Sequence, residues 1–286
     1  MERETVVQTG WVYRGGLFVI FLISGLLIFV FGSSYFIIFP TNQNFIYTIG
    51  LPLFFLTAAI ILTRLEGLKV YWPISYAFFI ASAANFLSWL LGPWLLPILN
   101  ISDMTFTGVA LAKLSEALVI VLTIIVLTKV IGDDLGSIYL KKGNLRLGLV
   151  IGLVTLIVLA VIAVLQAQSL IISFEKIIAS LPWILTFIFA NAFMEELWFR
   201  GIFLKKFEPF LGSVLSLVLT SVVFTLAHIG ATYADGFGLL RFLALLFPLS
   251  LAWGYVMQKT DSIWGSVLFH AGADLLVIIP FLAVLG

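Results

Sequence analysis

The chain has no cysteine and very little charge. Among its 286 residues, Asp, Glu, Lys and Arg make up only 10%, and there are two histidines. Without cysteine, disulfide bonds, thiolate nucleophiles and zinc–thiolate sites are excluded, while the redox compartment stays open. A net charge of +1 argues against nucleic acid as a partner, because its recognition usually needs a concentrated basic surface.

The sequence is instead rich in apolar residues. They make up 62% of the chain, against about 45–50% in an average soluble domain. Apolar runs of about 20 residues recur from Leu17 to the C-terminus, and each is long enough to cross a bilayer as a helix. The sequence therefore predicts an all-α polytopic membrane helical bundle of eight to nine transmembrane helices, with the lipid bilayer as a partner.

The spans are expected in a single integral-membrane domain, 1–286. The first run is too long for a signal-peptide core and lacks a cleavage pattern, so it is interpreted as a span. Helices without motifs occupy 17–131, and a core with motifs occupies 132–286. The predicted spans are 17–39, 45–63, 74–91, 108–127, 147–165, 177–194, 211–227, 239–257 and 262–285.

Positive charge is distributed unevenly among the loops. With nine spans and a cytoplasmic N-terminus, only Lys176 and Arg241 of the 15 Lys and Arg residues face outwards, and Lys113 lies within the fourth span. The positive-inside rule favours this orientation. We expect a multi-pass protein of a prokaryotic plasma membrane.

Two adjacent acids end the sixth span. A carboxylate within hydrocarbon costs about 3 kcal/mol on insertion scales, so Glu195 and Glu196 are candidate functional residues. Glu196 and Arg200 are four apart and share a helix face, where they can pair. Glu195 points about 100° away and has no partner in its own helix except Asn191, one turn earlier, which we expect to hydrogen-bond it.

Both histidines follow in later spans. His228 closes the seventh span, and His270 shares one face of the ninth span with Asp274, four residues on. A single histidine in an apolar helix is more often a packing residue than a catalytic one. Because both histidines, the acidic pair and the acid of span nine all fall in the last third of the chain, we expect them to meet.

A second pair of opposite charges, Lys113 and Glu116, lies inside the fourth span. The residues are three apart and so lie on one helix face. The favoured interpretation is a structural ion pair turned into the bundle, and a functional role is left open.

Three chemistries fit the predicted cluster. Glu195, His228 and His270, with Asp274, have side chains that bind zinc, although the His-Glu-x-x-His spacing of common zinc peptidases is absent. Alternatively, a carboxylate and a histidine could activate water for attack on a peptide bond. The same groups could instead form an ion or proton path, but no internal repeat suggests a transporter of duplicated halves.

Three motifs in order resemble a known family. Glu195-Glu196-x-x-x-Arg200, Phe224-x-x-x-His228 and His270-x-x-x-Asp274 are similar in order, number and spacing to the signature of the CAAX prenyl protease and bacteriocin-processing family of intramembrane endopeptidases, also called the type II CAAX or abortive-infection family. The resemblance covers about 181–275, with 134–148 similar to the approach to that core.

The resemblance implies a glutamic endopeptidase that needs no cofactor. By analogy, Glu195 and His228 activate water and His270 with the residue at 274 stabilises the oxyanion. Glu196 and Arg200 hold the helix end, and the site opens to the cytosol. The substrate is then a membrane-associated peptide or protein, and zinc at the glutamate–histidine cluster remains a less favoured alternative.

Asp274 departs from the family pattern, in which prenyl-protein members generally have asparagine. An ionised aspartate cannot donate to an oxyanion, so we expect Asp274 to accept a hydrogen bond from His270, and a prenylated substrate becomes less favoured. Two further functions stay open: a non-proteolytic interaction or self-immunity protein, and an ion or solute transporter.

Overall fold

A computed structural model describes residues 10–33, 40–230 and 236–285, and this part of the chain contains helices and no strand. Nine helices in it are long and apolar enough to cross a membrane, so the predicted fold class is confirmed. The helices, including the short α4, are α1 (Trp11–Phe29), α2 (Thr41–Arg64), α3 (Trp72–Leu91), α4 (Leu95–Leu99), α5 (Phe106–Val130), α6 (Leu145–Ser169), α7 (Phe174–Glu195), α8 (Leu204–Ala227), α9 (Gly236–Thr260) and α10 (Trp264–Leu285).

The first helix differs most from its prediction. It begins at Trp11, before Arg14, and ends at Phe29, whereas the span was expected at 17–39. An arginine near a helix end can extend its charged head out of the apolar layer, so Arg14 does not prevent an earlier start. Residues 34–39 of the predicted span lie outside the described residues.

The structure also differs from the expected boundaries at two other places, which the apolar pattern did not show. The Pro-broken loop expected at 92–107 contains α4, which ends at Asn100 in a left-handed conformation. The seventh span, expected from 211, begins at Leu204, and the helix is interrupted at Gly212, whose φ of 79° is readily adopted only by glycine. Residues 204–211 therefore form a separate leg before the long part of α8.

Helix pairs build the bundle around the last third of the chain. α10 packs along α6 and α7, α5 packs along α7, and α8 lies between α1 and α9. The crossing of α6 and α10 is close: a Cβ at Gly265 would stand 2.7 Å from the Gly148 backbone. Only a residue without a side chain permits this approach, and it fixes α10 against α6.

Loops rich in Lys and Arg join the helices at one end of the bundle, which we call the basic end. Here Asp261, in the turn between α9 and α10, pairs with Lys141 and with Lys205, the latter at 2.7 Å. Tyr139 O accepts the Ile263 N–H at 3.1 Å. These contacts join the α5–α6 loop, the α9–α10 turn and the start of α8. Which side of the membrane the basic end faces stays a prediction.

Candidate active site

Glu196 is the most fully bonded carboxylate of the described residues. Its side chain is completely buried, and Oε1 accepts hydrogen bonds from Arg200 Nη1 at 2.6 Å and from His270 Nδ1 at 2.8 Å. Oε2 accepts from the Ser266 hydroxyl at 2.5 Å. A buried carboxylate is tolerated when charge and hydrogen bonds compensate it, so Glu196 is a structural anchor joining α7 to α10.

Arg200 balances that charge and is itself completely buried. Its Nη2 donates to the Ser250 hydroxyl at 2.5 Å, and the guanidinium lies 4.5 Å from the ring centroid of Phe224 and 5.5 Å from that of Trp253. Cation–π contacts of this kind are stronger when water is excluded. The predicted pairing with Glu196 is confirmed, and Arg200 extends it to α8 and α9.

The two glutamates follow one another where the helix changes geometry. α7 ends at Glu195, and residues Glu196–Gly201 continue as a π-helix. A π-helical turn is wider than an α-helical one, is rare, and is frequent at functional sites. Here it begins at Glu196, whose side chain points into the protein. The side chain of Glu195 is 12% exposed and lies beside His270.

The His270 ring is held between aromatic rings and carboxylates. It stacks on Trp253 with 3.8 Å between ring centroids and 7° between planes. Because a carboxylate only accepts, Nδ1 carries a proton toward Glu196. Nε2 lies 3.5 Å from Glu195 Oε2 and 3.6 Å from Asp274 Oδ1, slightly longer than direct hydrogen bonds. The nitrogen is thus aimed at the space between two carboxylates.

Two expected hydrogen bonds are not the ones formed. Asn191 Nδ2 donates to Asp274 Oδ2 at 3.1 Å rather than to Glu195, and the acceptor for His270 is Glu196 rather than Asp274. Helical spacing places residues on a shared face, but the neighbouring helix decides which partner is nearer. Neither expected hydrogen bond is formed, although His270 Nε2 lies within ion-pair distance of Asp274 Oδ1 at 3.6 Å.

His228 reaches the same region from the end of α8. Its Nδ1 lies 2.8 Å from Phe224 O, and since a carbonyl oxygen only accepts, Nδ1 carries the hydrogen. In the neutral ring Nε2 is then a lone-pair acceptor, as a general base needs. The Phe224 ring touches both imidazoles, with centroid distances of 4.6 Å to His228 and 5.7 Å to His270.

We call the assembly of Glu195, Glu196, Arg200, His228, His270 and Asp274 the polar centre. Sequence reasoning missed three residues that hold it: Ser250 and Trp253 of α9, and Ser266 of α10. Ser266 had a signal, because it lies four residues before His270 and continues the polar face that reaches Asp274. Trp253 and Ser250 had none, since serines and tryptophans are common in membrane helices.

The other two sequence-based predictions concern the Lys113–Glu116 ion pair and a zinc site. Lys113 Nζ lies 2.6 Å from Glu116 Oε2, so the predicted ion pair is confirmed. Within the described ranges, no group of three or more His, Cys, Asp and Glu residues is arranged to hold a metal ion. The metal-free mechanism and the zinc alternative both stay predictions.

Comparison with protein families identifies the segment that holds this centre. Residues 177–276 match a family model described as type II CAAX prenyl endopeptidase, Rce1-like. This match, over about a third of the chain, supports the CAAX protease family. This family is a protease family, which together with the nine apolar helices of the described residues supports a multi-pass membrane endopeptidase. No curated protein and no solved structure matches the chain.

The matching segment runs from early α7 to the middle of α10 and contains every residue of the polar centre. It lies inside the predicted core, 132–286, and excludes α1–α6. The division of the chain at residue 131 stays a prediction, because helices before the match pack closely on those within it.

Proposed function

We propose that this CAAX-family protein is an intramembrane endopeptidase of the glutamic type, in which Glu195 and His228 activate a water molecule. The observation that carries the proposal is the convergence of groups from three helices. Glu195 Oε2 and Asp274 Oδ1 lie 3.5 Å and 3.6 Å from His270 Nε2, and His228 Nδ1 lies 2.8 Å from Phe224 O, which leaves Nε2 of the neutral ring as an acceptor.

The proposed reaction begins with a proton transfer from water. Glu195 takes a proton from water while His228 Nε2 accepts a hydrogen bond from its other hydrogen, and the oxygen attacks the peptide carbonyl carbon. The C=O bond becomes a C–O⁻ oxyanion. Glu195 returns its proton to the amide nitrogen, and the oxyanion re-forms the C=O bond as the C–N bond breaks. The products are a carboxylic acid and an amine, and transfer of the acid's proton to the amine gives a carboxylate and an ammonium.

His270 is proposed as the oxyanion donor. Glu196 holds Nδ1, which fixes the ring, and stacking on Trp253 prevents rotation. Nε2–H of the imidazolium can then donate to the oxyanion, and one such donor is typically worth about 10²–10³ in rate. Glu196 and Arg200 act on the reaction only through this fixed ring.

The substrate is proposed to be a peptide or a protein associated with the membrane, cleaved near the cytosolic face. The family is described by its prenyl endopeptidase activity. Asp274 stands where prenyl-protein members generally have asparagine, so we do not restrict the proposal to prenylated substrates. Access from the basic end and a metal-free mechanism remain parts of the proposal.

The test compares peptides and membrane proteins in cells that express the wild-type chain or Glu195→Gln. We expect products that disappear in the variant. With the purified protein and a synthetic peptide spanning the cleavage site, Glu195→Gln and His228→Ala should each lower kcat by about 10²–10⁴, the range for general acid–base catalysis. A matched control is Glu175→Gln, an exposed acid at the opposite end of α7.

Several outcomes separate the competing functions. A cellular phenotype that survives both Glu195→Gln and His228→Ala, in protein that is folded and inserted, supports an interaction or self-immunity protein and overturns the proposal. Flux of an ion or solute that depends on Glu195 supports a transporter. Loss of activity on chelation, restored by one metal found in the pure protein, overturns the metal-free mechanism.

A further inference from the structure

Three cations at the basic end have no charged partner within the described part of the chain. Lys142 precedes α6, Arg146 lies in the first turn of α6, and Lys259 is the last residue but one of α9. All three are exposed, and none of them forms an ion pair with a described residue. We call these three residues the basic corner.

Backbone contacts between the start of α6 and the end of α9 bring the basic corner together. The Asn144 N–H donates to Thr260 O at 2.7 Å, and a Cβ at Gly143 would collide with the same oxygen. Because consecutive Cα atoms are only about 3.8 Å apart, Lys142 and Lys259 each begin one residue away from this contact. The positive charges of the two chain segments are therefore held side by side.

Both acids close to the end of α9 are engaged with other residues. Asp261 pairs with Lys141 and with Lys205. Glu208 accepts a hydrogen bond from Gln258 Nε2 at 2.8 Å. The charge of the basic corner is thus not compensated by these acids, so an anion is the complementary partner for this surface.

The surface that continues from the basic corner into the membrane is apolar. α6 is the least buried of the nine spans in the described part of the chain. Val150 and Val154, four and eight residues after Arg146, lie on the same helix face and are each 56% exposed. On α9, Tyr255 shares a face with Lys259 and is 56% exposed, and tyrosine is enriched at membrane–water interfaces. A molecule with an anionic head and an apolar chain matches both parts of this surface.

We propose that the basic corner binds the phosphate group of an anionic phospholipid, whose acyl chain lies along the exposed apolar face of α6. The Arg146 guanidinium can donate two parallel hydrogen bonds to phosphate oxygens, and the two lysines supply point charges. Contact with the acyl chain distinguishes this ligand from free phosphate. No residue of the polar centre takes part, so this lipid site does not depend on the proposed function.

Native mass spectrometry of the full-length protein in detergent measures lipid binding directly. We expect phosphatidylglycerol to bind more tightly than phosphatidylcholine, because both have a phosphate and acyl chains but only phosphatidylglycerol has a net negative charge. Lys142→Gln, Arg146→Gln and Lys259→Gln should each weaken phosphatidylglycerol binding roughly fivefold, the effect of one cation near a charged membrane surface. The triple variant should lose the preference for phosphatidylglycerol.

The matched control is Lys129→Gln, because Lys129 is an exposed lysine at the same end of the bundle but at the end of α5. It should leave the affinity for both lipids unchanged. A second measurement is thermal unfolding, since a ligand that binds only the folded protein stabilises it. Phosphatidylglycerol should raise the unfolding midpoint of the wild type more than phosphatidylcholine does, and this difference should disappear in the triple variant.

Three results overturn the inference. One is equal binding of phosphatidylglycerol and phosphatidylcholine to the wild type. Another is a loss in Lys129→Gln as large as in the variants of the basic corner, which indicates diffuse attraction to the whole basic end. The third is binding of glycerol phosphate as tight as that of phosphatidylglycerol, which indicates a phosphate site without chain contact. If the triple variant does not fold, the three single variants decide.

Discussion

Two largely buried regions of the bundle are built from opposite chemistry. One is an aromatic joint between α1, α3 and the first leg of α8, formed by Phe21, Phe29, Phe78, Phe203 and Phe207. The other is the polar centre between α7, α8, α9 and α10. Phe21 and Phe207 stack at 4.9 Å, whereas Arg200 and Glu196 pair at 2.6 Å.

The two regions differ in how strictly each contact requires a particular side chain. In lipid, apolar helix faces gain little from leaving the hydrocarbon, so rings stabilise the joint through close packing and dispersion. A ring can be replaced by another apolar side chain of similar volume. In the polar centre each charge needs its partner, since an unpaired charge is far more costly than a packing defect.

The largest effect is expected from breaking the charge pair. Arg200→Met leaves Glu196 buried without its cation, and loss of one member of a buried pair costs about 3–5 kcal/mol. We expect the midpoint of thermal unfolding in detergent to fall strongly and activity to disappear. Adding Glu196→Gln to Arg200→Met should recover much of the stability but no activity, because His270 loses its carboxylate partner.

The comparison would fail if the single Arg200→Met variant were as stable as the wild type. It would also fail if the double variant were less stable than the single one, since the cost would then not come from the uncompensated carboxylate.

A smaller effect is expected in the aromatic joint. Phe78 is 4% exposed and contacts rings on α1, α2 and α8. We expect Phe78→Ala to cost roughly 2 kcal/mol through the cavity that it leaves, with kcat per folded molecule unchanged. Thermal unfolding and activity of the same sample measure both quantities.

Phe54→Ala is the matched control, because Phe54 is 63% exposed on the outside of α2, and it should change neither value. If Phe78→Ala lowered kcat as much as it lowered stability, the two regions would not be separable.

The smallest effect is expected at the basic end, and it depends on pH. Burial alone would raise the pKa of Asp261, but hydrogen bonds and charge from Lys141 and Lys205 outweigh it, so the pKa lies below its ordinary value. A lowered pKa means that the pair stabilises the fold above the ordinary value of about 3.9 and loses this contribution as pH falls through the folded-state pKa.

Because the Asp261 side chain is 49% exposed, the contribution is expected to stay below about 1 kcal/mol. Asp261→Asn should lower the unfolding midpoint slightly at pH 7 and by less at pH 3, where part of the contribution is lost. A larger loss at pH 3 than at pH 7 would show that the ion pairs are not its source.

Much of the fold could be read from apolar runs. Their length predicted eight to nine spans because a bilayer leaves a backbone almost no alternative to the helix. Helix ends were less predictable: Arg14 lies inside α1, and Gly212 interrupts α8, for which the apolar pattern gives no sign. The i, i+4 pairing of Glu196 with Arg200 was predicted correctly because it depends on one helix alone.

Pairings between helices could not be predicted in the same way. Asn191 and Asp274 are 83 positions apart, and His270 and Glu196 are 74 apart. Their hydrogen bonds depend on the rotation and height of α10 against α7, which the close crossing at Gly148 and Gly265 helps to set. No local pattern carries that information.

The sequence by itself determined that the chain is a helical membrane protein and which few polar residues have to be accommodated within it, since the bilayer penalises every unsatisfied polar group. Only the tertiary structure decided that Glu196 is the buried anchor and that Glu195 stays partly accessible beside His270. The reason is geometric: side chains from different helices become neighbours only after the helices are packed.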